Sequence, residues 1–210
     1  MSAPSRQEPA PRISKVRAEA LIDGIFAFSM TLLVASMIFP NALGGSANAP
    51  GLPELLRNIA PDLIYYVVSF MILSNYWLLS NQLHEYLPVG VDMTSIRMIL
   101  VSLIFVALMP VSTVIAAAYG GNPYADIVLE VNLFAIGLLF SVHWQHIVRN
   151  PETSDHPVSP LQGCIAIRRN LVTPVVSVAA IVIALAGIPW SVVLLAFAPA
   201  LEILVKRSCR

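Results

Sequence analysis

Arg17 and Asp23 stand at the mouth of an apolar run that extends from Gly24 to Phe39. Ionisable groups at that position in a bilayer are tolerated when they are paired or functional. At about 100° per residue, Leu21, Gly24, Phe28, Thr31, Leu32, Ala35 and Phe39 fall on one helical face, and Asp23, Ala27, Met30 and Met37 fall near the opposite one. If the stripe lines something shared between subunits, Asp23 points into its own helix bundle. There it would accept hydrogen bonds from polar groups on the second and third helices, because a buried carboxylate finds such partners or takes up a proton. From periodicity alone, ordinary helix packing is the stronger account of the stripe.

Other polar residues carry weaker chemistry. His143 and His146 are one helical turn apart and could share a metal, but a third ligand is needed and only His84 and His156 remain. Interfacial anchoring beside Trp144 is their expected role. Glu130 and Asn132 would pair with another helix or line a vestibule, and Asp62 and Asp126 are read as solvated rim charges. Trp77, Trp144 and Trp190 read as packing or interfacial aromatics. Cys164 and Cys209 form no metal or redox motif. No nucleophile elbow, phosphate loop or His-Glu-x-x-His run supports an enzyme. No cofactor and no metal is expected.

The elements that must position these residues are set by composition. The chain is 57% hydrophobic and 11% charged, with mean hydropathy +0.77, so its charge is under half the roughly 25% of soluble domains. So much apolar surface cannot be hidden in water, and lipid must be the solvent. Zero net charge gives no basic face for nucleic acid. A crossing helix needs about 20 mostly apolar residues. Segments 18–39, 61–83, 94–117, 124–148, 170–187 and 189–205 meet that requirement, the last two joined by a hairpin at Gly187-Ile188-Pro189. Pro110, Pro174 and Pro199 fall inside spans, where neighbouring helices can satisfy the freed carbonyls. Residues 1–14 read as a disordered tail, 15–207 as the six-helix domain and 208–210 as a second tail.

With six alternating spans, all 12 Lys and Arg residues except Arg57 fall on one side. The positive-inside rule then puts both ends in the cytoplasm. Ala47-Asn48-Ala49 looks like a signal-peptidase site, but Asp23 interrupts the would-be apolar core and 40–46 separates it from the site, so the first span is expected to stay. Ala118-Tyr119-Gly120-Gly121 lacks the order of a carbonyl selectivity filter.

The run Arg17-x-x-x-Leu21-Ile22-Asp23-Gly24-Ile25-Phe26-Ala27, followed by Thr31-Leu32-Leu33-Val34, resembles the first helix of the transmembrane protein 175 family of cation channels. Pro61-Asp62-Leu63, Ser69-Phe70 and Trp77 resemble its second helix, and Ala107-Leu108-Met109-Pro110-Val111-Ser112-Thr113 the end of its third. The family signature is Arg-x-x-x-Phe-Ser-Asp; Leu21 and Ile22 replace its Phe and Ser. Asn81 stands where the family often has His shortly after the second-helix Trp, and Met98-Ile99-Leu100 fills the stretch of a common third-helix Asn.

The resemblance implies a multi-pass protein of the prokaryotic cell membrane and a homotetramer with four first helices around a central pore. Phe28, Thr31, Leu32 and Ala35 would face that pore and form a hydrophobic constriction, which can gate by dewetting. Arg17, Asp23, Trp77 and Asn81 would be signature or structural positions. The expected partners are potassium or other monovalent cations, the lipid bilayer and further copies of the chain. The alternative is a non-conducting membrane scaffold or partner-binding protein that kept the fold.

Overall fold

The computed structural model describes residues 13–42, 52–88, 90–150, 154, 158–188 and 191–208. Six α-helices follow in chain order: α1 (Lys15–Ala42), α2 (Leu52–His84), α3 (Met93–Ala118), α4 (Pro123–Arg149), α5 (Pro160–Leu185) and α6 (Ala198–Ser208). A 3-10 helix, Ser191–Phe197, leads into α6. A two-residue antiparallel pair joins β1 (Ile13–Ser14) to β2 (Gly90–Val91), so the end of the expected tail is tied to the turn before α3. The signal-peptidase-like Ala47-Asn48-Ala49, Trp190, His156 and Cys209 lie outside the described residues.

Local chemistry sets the boundaries. Asp92 starts α3 by accepting from the backbone N–H groups of Thr94 and Ser95, both at 3.0 Å. Asn122 caps α4, with Pro123 in the first turn, where its missing N–H removes a donor that has no partner. Ser159 starts α5 with a reciprocal capping box to Gln162. This cap corrects the expected fifth span: α5 begins at Pro160, ten residues before 170, and carries Arg168 and Arg169 inside the helix.

Among the described residues, five helices, α1 to α5, are long and apolar enough to cross a membrane. The expected sixth span is instead a composite of 3-10 and α segments that is too short to qualify. Pro199 explains the break, since proline is accommodated in a first helical turn and not in an interior. Of the expected hairpin, Gly187 has φ +77, which glycine adopts without steric cost, and its N–H bonds the Ala184 carbonyl, while Pro189 lies outside the described residues.

Packing centres on α4, whose main partners are α5 and α3. Gly137 of α4 lets α5 come close: a Cβ there would lie 2.5 Å from Pro174 Cδ and 2.5 Å from the Tyr76 hydroxyl. Pro110 loosens a turn of α3, and Asn132 of α4 donates to the neighbouring Phe105 carbonyl (3.2 Å) and to Ser112 Oγ (3.2 Å). Asn132 thus pairs with another helix, as one of its two expected roles had it.

Candidate functional site

The candidate site is the face of α1 turned away from the bundle. Ala18, Ile22, Phe26, Ser29 and Leu33 are buried and form the face that packs on α3 and α2. Arg17, Asp23, Gly24, Ala27, Phe28 and Thr31 are exposed, and Leu32 and Ala35 are half-buried. Phe28 keeps 64% of its surface free, and a Cβ added at Gly24 would meet nothing within 4 Å. The stripe picked out by helical arithmetic is therefore on the outside of the protomer.

Asp23 is on the outside too, which corrects the expectation that it points into its own bundle. The buried face of α1 is narrow, and the free arc is wide enough to hold both Asp23 and Phe28. Its carboxylate is anchored from α2, where Trp77 Nε1 donates to Asp23 Oδ1 at 2.9 Å. A second-helix partner was expected; its position at the rim of the protomer was not. Asn81 follows Trp77 one turn on and is half-buried. No ion pair joins Arg17 to Asp23 among the described residues. Thr31 donates its hydroxyl proton to the Ala27 carbonyl at 2.8 Å, which leaves the oxygen lone pairs directed off the helix.

Several other residues sit differently from the sequence-based expectation. Asp126 is no solvated rim charge: it is fully buried, accepts from the Tyr65 hydroxyl at 2.7 Å and lies 3.5 Å from Ser191 Oγ. Ser191 also donates to Glu130, one turn further along α4. Asp62 is half-buried. His143 and Trp144 are both 4% exposed, so they pack inside the bundle and do not anchor an interface. His143 shares a small cavity with His84 and Ser80. His146 is at the helix end, 3.8 Å from Asp92. No group of three His, Cys, Asp or Glu residues is placed to hold a metal among the described residues.

The polar cluster that sequence inspection missed centres on Glu202. Its two carboxylate oxygens accept from Asn75 Nδ2 at 2.9 Å each, from Thr173 at 3.2 Å and from Arg169 at 3.4 Å. It ties α6 to α2 and α5. An ionisable residue in an apolar C-terminal stretch was itself the available signal.

Comparison with known proteins places the chain in a family. The family model described as endosomal/lysosomal potassium channel TMEM175 matches residues 17–110, from the Arg17 of the signature to Pro110 of α3. A potassium channel of Streptomyces collinus is 31% identical over 143 residues, spanning 66% of this chain and 67% of that protein. Among solved structures, a lysosomal potassium-selective channel TMEM175 homologue from Chamaesiphon minutus superposes with TM-score 0.73 at 21% identity, over 93% of this chain and 98% of that one. The potassium channel MtTMEM175, solved with a nanobody fusion, gives TM-score 0.58 at 17% identity over 99% and 94%. At those identities the likeness is one of fold.

Proposed function

The chain belongs to the TMEM175 family of potassium channels, membrane proteins and not enzymes, and from that premise we propose that four copies assemble with their α1 helices around a pore for potassium or other monovalent cations. One observation carries the reading: α1 is the least covered span, with 28% of its apolar window buried against 56% for α4, and its free face holds the polar and small residues. A purely apolar face could rest against lipid. This one presents Arg17, Asp23 and Thr31, and an acidic group facing lipid is costly, about 2.5–3.5 kcal/mol at the centre of a span. Ala20, Gly24 and Ala27 on the same face allow another helix to approach closely. Covering the face with further copies of itself answers both features.

In this assembly Phe28, Leu32 and Ala35 form the hydrophobic constriction and Thr31 offers hydroxyl oxygens to a partly dehydrated cation. The Thr31 proton is committed to Ala27, so the oxygen meets the cation as an acceptor. Potassium flux into liposomes holding the purified protein is the test. Phe28→Ala should raise flux several-fold or relax selectivity, and Thr31→Val should weaken the preference for potassium over sodium. A sealed liposome with correctly folded tetramers and no flux would favour the non-conducting scaffold. Flux that ignores Phe28→Ala would remove that residue from the pore.

A further inference from the structure

Away from α1, a groove of about 420 Å³ opens between the ends of α2, α4 and α5, within the range of small-ligand sites. Two side chains that line it are almost wholly buried yet lack a polar partner. Among the described residues, Trp144 is 4% exposed and its Nε1 finds no acceptor; Asn170 is 1% exposed, and while its Nδ2 donates to the Ala166 carbonyl at 2.9 Å, its Oδ1 finds no donor. A buried polar atom left in that state has given up its hydrogen bond to water without a replacement. The groove wall thus holds one orphan donor and one orphan acceptor. It also presents one cation and one anion, Arg169 and Glu85. Arg169 uses Nε on Glu202 and Nη1 on Gln82, and a guanidinium has five N–H donors, so donors remain.

We propose that this groove holds the headgroup of a phosphatidylethanolamine molecule. The phosphate accepts from Arg169 and from Trp144 Nε1. The ammonium donates to Asn170 Oδ1 and to Glu85. Leu161 and Ile165 on the same wall give the start of an acyl chain an apolar path. The depth suits a lipid: Trp144 lies five residues before the end of α4 at Arg149, about 7–8 Å at 1.5 Å per residue. Its ring packs edge-on to Tyr86 with centroids 5.6 Å apart, so the indole is fixed in place at that depth. The headgroup chemistry is selective. Choline carries no N–H to give Asn170, and a phosphatidylglycerol headgroup brings net negative charge against Glu85 without a cation to meet it.

The test is native mass spectrometry of the purified full chain, delipidated in detergent and offered phosphatidylethanolamine, phosphatidylcholine or phosphatidylglycerol with identical acyl chains. Wild-type protein should retain phosphatidylethanolamine several-fold better than either other lipid. Glu85→Gln, at an exposed position, should bring the ethanolamine-to-choline ratio towards one. Trp144→Phe should lower retention of all three, with particle size unchanged as the check on folding. Wild-type protein that holds phosphatidylcholine equally well would overturn the proposal, and so would an undiminished ratio in Glu85→Gln. Thermal stabilisation by inorganic phosphate equal to that by the lipid would overturn it as well.

Discussion

At the residue scale, the bundle keeps Asp126 and Glu202 by surrounding each with donors from other elements. Glu202 is the most heavily served. It is 2% exposed and takes hydrogen bonds from Asn75, Thr173 and Arg169, which come from two different helices. Replacing both partners of a buried pair by apolar groups can be nearly neutral, but removing one leaves an uncompensated charge. Glu202→Ala should therefore destabilise by about 3–5 kcal/mol, because Arg169 is left facing Asn75 and Thr173 with no anion. Glu202→Gln keeps the acceptor oxygen and should lose less. Melting of the purified protein in detergent, followed by intrinsic fluorescence, checks both, and a Glu202→Ala melt at the wild-type temperature would show the cluster to be dispensable.

At the element scale, two contacts set how α3, α4 and α5 begin and meet. Gly137→Ala places a methyl group 2.5 Å from Pro174 Cδ, inside any real carbon contact, and the pyrrolidine ring cannot rotate away. The expected loss is about 1–3 kcal/mol from overpacking, read as a lower melting temperature. The cap of α3 responds to pH. Asp92 lies outside the spans: burial raises its pKa, but hydrogen bonds from Ser95 and Thr94 and the neighbouring His146 outweigh this and hold it below the usual carboxylate value. A carboxylate depressed in the folded state contributes stability above its unfolded pKa, about 3.9, and loses it as pH falls through the folded value. Wild type should thus melt above Asp92→Asn at neutral pH, and the gap should close below about pH 4. A gap that persists in acid would mean that the charge does not matter. These contacts also show what the sequence could tell. The existence of α1 to α5 was legible, because long apolar runs between turn residues have few other outcomes in lipid. The start of α5 was not, because Gln162, Arg168 and Arg169 break the apolar window and the partners of Arg169, Gln82 and Glu202, lie far off in sequence. The burial of Asp126 was hidden for the same reason, since Tyr65 and Ser191 are 61 and 65 residues away. Periodicity grouped the stripe on α1 but favoured ordinary packing for it, and only the family resemblance turned it outward, whereas the outward turn of Asp23 depended on how narrow a face α3 and α2 would cover.

At the scale of the whole molecule, the asymmetry of the protomer is the guide. The helices α2 to α5 bury polar residues such as Ser69, Thr113, Asp126 and Asn132 inside the bundle, while α1 leaves Arg17, Asp23 and Thr31 on the outside. Lys15, Arg17, Arg97, Arg149, Arg168 and Arg169 gather at one end of the bundle, where Lys15 Nζ also donates to the Leu87 carbonyl at 3.2 Å. A ring of protomers with α1 innermost would keep these cations on one membrane side and bring the four Phe28 positions together. This arrangement can be read directly from chemical reach. In a background with Cys164 and Cys209 changed to Ser, Phe28→Cys should link protomers through a short bifunctional maleimide, which spans more than the roughly 7 Å that limits a disulfide. Val175→Cys, on a free face of α5 at 64% exposure, should not. Covalent dimers on a denaturing gel from position 28 alone place α1 at a shared axis. Monomers from both positions, in protein that elutes as an oligomer, would put α1 against lipid and move the pore elsewhere. Dimers from position 175 instead would make α5 the contact helix, and the polar face of α1 would then need a different cover.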